Sequence, residues 1–366
     1  VSDNSSDTTY NVRFTDLAVD DADDTVNIEA KNLTGTAPTV DLDNDSTDGN
    51  VIENVNLTSS GGSNNALDLQ AGSGLDTLNI GGEQNLTLID GVNAFGSVTT
   101  IDASSTANTS ELSGDLDLTV NNSKDMSITG GTGDDVVEFA GGGLTSADTV
   151  DLGGGTNSIR LNATNAAALA GTDADGVSNV QQLIIKDSID NTTNTVDTSN
   201  AAFADTFVVD ITDNSTGSNN NTLTLSNIED GDTVRNVQGA NADGTDGTAL
   251  TVNGDGATSQ TVNVDLQASL NAFTAGNLET LDLTSGGDSA NTVYNTFSAS
   301  ATTQLNISGS QGLTIKDLNN IDSSAEINAS GLGTNALDID LSSDFDTYVG
   351  SDGTNTVNLA TDSFKG

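Results

Sequence analysis

The chain has 366 residues, with 54 acidic side chains against 8 basic ones and a formal charge of −46; it contains no His, Cys or Trp, one Pro and one Met. The missing His removes the commonest general base and transition-metal ligand, and the missing Cys removes disulfides, redox motifs and thiolate zinc sites. Eight scattered basic residues cannot neutralise a run of phosphates, so nucleic acid is not an expected partner, and an anionic membrane surface would repel the chain.

Residues 1–50 are the most acidic and least periodic part and are read as an acidic N-terminal segment. Asp20-Asp-Ala-Asp-Asp24 reads as a solvated run. Asp41-Leu-Asp43-Asn-Asp45-Ser-Thr-Asp48-Gly49 is denser. It begins like an EF-hand loop, but Ser46 stands where that motif needs Gly and Ile52 where it needs the closing Glu. Alternate spacing still places Asp41, Asp43 and Asp45 on one side of an extended segment, about 7 Å apart, as a cation site or a solvated loop.

From residue 51 onward short strands dominate, with aliphatics at alternate positions. Leu67/Leu69, Leu78/Ile80, Leu86/Leu88, Leu116/Leu118/Val120 and Met126/Ile128 lie in a first module, residues 51–162. Leu223/Leu225 and Val262/Val264/Leu266 lie in a diverged module, 163–275. Leu281/Leu283, Leu305/Ile307, Leu313/Ile315 and Leu337/Ile339/Leu341 lie in a second module, 276–366. Period two turns the aliphatics to one face and Asp, Asn or Thr to the other, and Gly, Asn, Asp and Ser clusters supply the turns. Helix signals are confined to Ala166–Ala170 and Leu266–Phe273, a turn or two each. No apolar run approaches the ~18–20 residues of a membrane span, so no transmembrane segment is expected. The opening at Val1 shows no signal segment, as in a mature secreted protein or an excerpt of a longer chain.

The two modules repeat one another in order. Glu53-Asn-Val-Asn-Leu-Thr-Ser-Ser-Gly-Gly62 matches Glu279-Thr-Leu-Asp-Leu-Thr-Ser-Gly-Gly-Asp288. Thr77–Leu88 matches Gln304–Ile315, and Thr100–Ser105 matches Glu326–Gly331. A smaller unit, Gly-x-Gly/Ser/Asn-x-Asp/Asn-x-aliphatic, recurs at turns that carry Asn65, Asp76, Asp135, Asn157, Asn221, Asn291, Asn335 and Asn355. It reads as a tight turn whose glycines take positive φ, whose Asp or Asn bonds the backbone, and whose aliphatic enters the core.

Gly130-Gly-Thr-Gly-Asp-Asp135-Val-Val137-Glu138 fits the nonapeptide Gly-Gly-x-Gly-x-Asp-x-aliphatic-x in full, and Ala71-Gly-Ser-Gly-Leu-Asp76-Thr-Leu78-Asn79 fits all but its first Gly. With the Leu-Asn-Ile and Ile-Asn-Ala-Ser strings, residues 50–366 resemble RTX-type bacterial S-layer proteins. The resemblance implies type I secretion and a calcium-stabilised two-dimensional lattice of identical copies on the bacterial cell surface, held by a polysaccharide anchor. It also implies calcium ligands. The carboxylate of Asp135, with Asp134 and the carbonyls of Gly131 and Gly133, is one set; Asp76 with Gly72 and Gly74 is another. The chain departs from the family pattern in two respects. Its nonapeptides stand alone, and six of the eight turns carry the neutral amide of Asn, which suits a hydrogen-bonded turn or an Asn ladder. High salt would relieve the same charge repulsion that calcium does.

Two architectures fit: a right-handed parallel β-helix or β-roll solenoid, or tandem antiparallel β-sandwich modules. Glycine turns and scarce aromatics favour the solenoid, where each repeat buries its aliphatic face on its neighbours. No enzyme activity is expected. Paired carboxylates arise by chance among 54 acids, aromatics are 3% of the chain, and nothing in the sequence clusters around Arg13, Arg160 or Arg235. The alternative to a lattice protein is a segment of a large RTX adhesin that binds carbohydrate or another cell.

Overall fold

The computed structural model describes residues 9–11, 24–34, 37–42, 52–70, 74–89, 95–106, 109–121, 123–188, 193–212, 221–239, 248–342 and 344–359. Every strand pairing among them that joins neighbouring coils runs parallel, which sets aside the antiparallel sandwich. The chain is an all-β solenoid of two-strand coils and divides into two compact units, Val1–Leu161 with Ala170–Gln182 and Asn162–Leu169 with Leu183–Gly366.

In the first unit, successive strands alternate between two sheets. The first sheet stacks Thr9–Asn11, Thr39–Asp41, Asn65–Gln70, Leu86–Ile89, Leu116–Val120, Val136–Phe139 and Ser158–Asn162. The second stacks Thr25–Lys31, Asn54–Ser60, Thr77–Gly82, Thr100–Asp102, Ser127–Thr129, Thr149–Asp151 and Val177–Ser178. Partner positions Leu118, Val137 and Ile159 stand side by side on three adjacent strands, so these two coils are about twenty residues long, whereas the coil from Leu88 to Leu118 takes thirty. All three are fully buried, as are Leu57, Ile80, Leu78 and Ile101 in the second sheet. Each such side chain contributes about 1.5–3 kcal/mol by leaving water. Strand Thr25–Lys31 lies within residues 1–50, the segment read as least periodic. Ile28 and Ala30 alternate inward there, between Asn27, Glu29 and Lys31.

In the second unit the first sheet includes Thr206–Thr212, Thr233–Asn236, Thr261–Leu266, Thr280–Ser285, Gln304–Gly309, Glu326–Gly331 and Thr347–Val349. The second includes Thr193–Asp197, Asn221–Ile228, Thr248–Gly254, Ala272–Gly276, Phe297–Ser298, Leu313–Asn319, Leu337–Leu341 and Asn355–Leu359. Phe273 and Phe297 face each other on adjacent strands, with ring centroids 5.0 Å apart. The helix expected near Ala166 is found at Ala163–Ala168, where Asn162 Oδ1 accepts from the Asn165 N–H at 2.7 Å. The one expected over Leu266–Phe273 is absent. Val264/Leu266 and Phe273/Ala275 alternate inward instead, and burial on both sides of the turn overrides the weak helical spacing.

The duplicated strings are successive rungs of one sheet in each unit. Leu57, Ile80 and their neighbours stack through the 54–60, 77–82 and 100–102 strands, and Leu281, Leu305 and Ile327 through the 280–285, 304–309 and 326–331 strands. Both copies share a close approach. Gly82 (φ 121°) and Gly309 (φ 133°) let the backbone pass the carbonyls of Ser59 and Ser285, where an added Cβ would lie 2.0 Å from the carbonyl oxygen.

Candidate metal centre

Asp135 takes the Asp position of the full nonapeptide Gly130–Glu138 and leads into strand Val136–Phe139, where Val137 enters the core. Its side chain is fully buried. Oδ1 accepts from the Leu116 N–H of the neighbouring coil at 2.8 Å, and Oδ2 accepts from the Gly131 N–H of its own turn at 2.8 Å. The Asp135 N–H donates to Asn157 Oδ1 at 2.8 Å, and the Asn157 N–H donates to Gln181 Oε1 at 2.8 Å. The turns thus form a ladder in which each coil offers an N–H to the side-chain oxygen of the next. Burial pushes the Asp135 carboxyl up to about 6, against the two N–H bonds and with help from the nearby carboxylates of Asp115 and Asp134.

The Asn turns solve the same problem differently. Asn157 Nδ2 donates to the carbonyls of Leu152 (3.2 Å), Gly154 (2.8 Å) and Asn179 (2.8 Å). Asn291 Nδ2 donates to the Leu266 carbonyl (2.8 Å), Ser285 Oγ (3.0 Å) and the Gly286 carbonyl (3.0 Å). Its duplicate, Asn65, donates to Ser59 Oγ (2.9 Å) and the Ser60 carbonyl (3.0 Å), while its Oδ1 accepts from the Leu33 N–H at 2.8 Å. Asn335 and Asn355 also donate to carbonyls of their own turns. A ring of carbonyl oxygens is what a hard cation prefers. Here the amide group occupies its centre, and a neutral donor satisfies the oxygens without an ion. The side chain of Asn221 lies outside the described residues.

Asp135 does not fit a calcium shell as arranged. Both its oxygens face N–H donors, and the Gly131 carbonyl accepts from the Gly154 N–H at 3.0 Å. Gly133 is half-buried beside it. Asp134 points the other way, into solvent, where its Oδ1 accepts from the Thr156 N–H at 2.7 Å and its own N–H donates to Asp115 Oδ1 at 2.9 Å. Asn85 Nδ2 extends this outer column by donating to Asp115 Oδ2 at 2.7 Å. Asp76 shares the motif with Asp135 but not the geometry. Its side chain is exposed and accepts from Thr99 Oγ1 at 2.7 Å, while Leu75 is buried beside it. Strand Thr77–Gly82 belongs to the other sheet, so the structure does not bring the two nonapeptides together. Gly74 is half-buried, and Gly72 lies outside the described residues. Asp41 is half-buried in strand Thr39–Asp41 opposite Gln70; Asp43 and Asp45 lie outside the described residues. Among the described residues no three acidic side chains converge to hold an ion.

Two features escaped the sequence reading. Arg160 sits between Asp117 and Glu138, each 3.2 Å from its Nη1, and Arg235 Nε pairs with Asp265 Oδ2 at 2.9 Å. Those acids come from neighbouring coils, far off in sequence. In the second unit, Asp205, Glu229 and Asp232 line a cavity of about 100 Å³ with Phe207. Asp232 is mostly buried and accepts from the Glu229 N–H at 2.9 Å; burial, with the Glu229 and Asp205 carboxylates, pushes it up to about 6. Glu229-Asp-Gly-Asp232 could be recognised as an acidic turn, but the approach of Asp205 could not.

Comparison with protein-family models, with curated proteins and with solved structures finds no match to this chain.

Proposed function

We propose that this protein is a structural component of a bacterial surface layer of the RTX type, secreted and assembled from identical copies on the outside of the cell. One observation carries the reading: the buried polar groups of the coils serve coil stacking. Asn65 with the Leu33 N–H, Asn291 with the Leu266 carbonyl, and Asn157 with the Asp135 N–H bond the backbone of a neighbouring coil, and among the described residues most acidic side chains lie outside, with Asp135, Asp148 and Asp232 buried. In this reading the protein has no catalytic role and its product is a surface. Calcium acts on the acidic exterior between copies, not within the turns, and a cell-surface polysaccharide anchors the layer. A chelator should then dissolve assemblies and leave the fold intact. Sedimentation of purified protein in calcium, against sodium at equal ionic strength, tests this. The reading predicts large assemblies that EDTA disperses with no change in far-ultraviolet circular dichroism. A single small species in calcium would sink it.

A second reading, a carbohydrate-binding adhesin segment, has one supporting feature. Thr195, Thr224, Thr251 and Thr274 stand opposite one another on four adjacent strands of the second unit, a row of uncharged hydroxyls at strand spacing. Glycan binding that is lost on replacing Thr224 and Thr251 by Lys would favour it.

A further inference from the structure

The cavity in the second unit lies between two walls that are held differently. One wall is the turn from Glu229 to Asp232; the other is the segment from Thr198 to Asp205 on the preceding coil. The turn is tied firmly to the following coil. The Gly231 N–H donates to the Thr261 carbonyl at 2.8 Å, the Asn263 N–H to the Asp232 carbonyl at 2.9 Å, and the Thr261 N–H to Asp230 Oδ1 at 2.8 Å. Asn263 Nδ2 adds a bond to the Gly231 carbonyl at 3.0 Å. The other wall is a single 3₁₀ turn, Thr198–Ala201, and a short loop. It reaches the next coil through Thr198 Oγ1, which donates to the Ser226 carbonyl at 2.9 Å, and through the Asp205 carbonyl, which accepts from the Thr233 N–H at 3.0 Å.

The buried carboxyl between these walls is Asp232, which is 9% exposed. Its Oδ2 accepts from the Glu229 N–H at 2.9 Å, the one hydrogen bond this carboxyl makes among the described residues, and its side chain lines the cavity. Asp205 and Glu229 line the same cavity and are exposed; no Lys or Arg does so. The other charged groups close by are engaged elsewhere. Asp230 serves the Thr261 N–H, Asp197 is held by Ser199 and Asn227, and Arg235 pairs with Asp265. The Thr198–Ala201 turn carries no titratable side chain.

An ionised Asp232 places charge in a poorly solvated position beside two further carboxylates, with no cationic side chain to offset it. A proton on Asp232 removes that cost. We infer that Asp232 is a proton-operated latch: protonated, it lets the Thr198–Asp205 segment close on the Glu229–Asp232 turn, and ionised, it loosens that segment. The segment gives rather than the turn, because the turn is anchored to the coil behind it. The direction agrees with the carboxyl being pushed up to about 6 from 3.8, chiefly by burial. The closing contribution is complete below the ordinary value and is lost as pH rises through about 6. It favours the closed form about tenfold at pH ~5 and hardly at all at pH ~7.5. The latch acts within the second unit, whatever the copies assemble into.

Hydrogen exchange of the whole chain, read by mass spectrometry at pH ~5 and pH ~7.5 and corrected for the intrinsic exchange rate, tests the latch. Both samples contain EDTA at one ionic strength, so that no divalent cation stands in for the proton. Amides of the 198–205 segment, among them the Ala204 N–H on the Ala201 carbonyl, should lose about tenfold of their protection at the higher pH. Strand Thr261–Leu266 should keep its protection and serves as the internal standard. Asp232→Asn, which can still accept from the Glu229 N–H, should make the 198–205 segment insensitive to pH. Asp205→Asn should reduce the response without abolishing it, because burial of Asp232 remains. Equal protection of 198–205 at the two pH values in the unmodified protein would overturn the inference. So would a fall of the same size in Asp232→Asn, or one shared equally by strand Thr261–Leu266. Should Asp232→Asn fail to fold, the unmodified protein, read against that strand, still decides.

Discussion

Replacing Asp135 by Asn should change how stability depends on pH, by an amount the structure sets. The Asp135 carboxyl is pushed from the ordinary 3.8 up to about 6, chiefly by burial. The folded protein therefore holds this proton over a range in which the unfolded chain has released it. The contribution to stability is fully present below the unfolded value and is lost as pH rises through about 6. At about 1.4 kcal/mol per unit the whole effect is about 3 kcal/mol, of which about 2 kcal/mol is present at pH ~4.5. Asn at this position still accepts from the Leu116 N–H, but its amide meets the Gly131 N–H, a cost that does not vary with pH. Self-repulsion and the titration of Asp232 are common to both proteins and largely cancel. Urea unfolding followed by circular dichroism, at fixed ionic strength from pH 4.5 to 7.5, gives the difference. The wild type should lose about 2 kcal/mol relative to Asp135→Asn across that range. A difference flat to within about 0.5 kcal/mol would refute the buried, proton-holding carboxyl.

Other expectations follow from the same contacts. Asn291→Ala removes the donor to the Leu266 and Gly286 carbonyls and to Ser285 Oγ; the Leu266 carbonyl keeps the Gly286 N–H at 2.9 Å and Ser285 Oγ keeps the Gly312 carbonyl at 3.0 Å, so chemical denaturation should show a loss of about 1–3 kcal/mol. Gly309→Ala places a Cβ 2.0 Å from the Ser285 carbonyl at φ 133°, so hydrogen exchange should show local opening of the 280–285 and 304–309 strands. Leu341→Ala should cost about 2–5 kcal/mol, whereas Leu359→Ala, its 41% exposed partner in the same row, should cost well under 1 kcal/mol, as equilibrium unfolding will show.

Much of the fold is legible in the sequence because a solenoid is built from local repetition. The Leu/Ile alternations at 67–69, 78–80, 281–283 and 337–341 fall on strands, and their aliphatics point inward. The duplicated strings turn out to be successive rungs, because a rung is specified by the few residues that form one strand and its turn. Which residue of a turn faces inward was not legible. Asp135 and Asp76 share a motif, yet Leu75 takes the inward place at one turn and the carboxylate at the other. That choice depends on which sheet the following strand joins and on what the neighbouring coil offers, here the Leu116 N–H. The Arg160 and Asp232 clusters were hidden for the same reason. Their partners lie a coil or more away in sequence, and coil lengths vary too much for spacing to reveal them.

In the function proposed above, copies of this protein tile into an ordered surface. Electron microscopy of the purified chain, with and without calcium at constant ionic strength, tests it most directly. Ordered arrays that appear with calcium and vanish on chelation, in protein that stays folded throughout, are the predicted result. Dispersed particles of one size under every condition would contradict it.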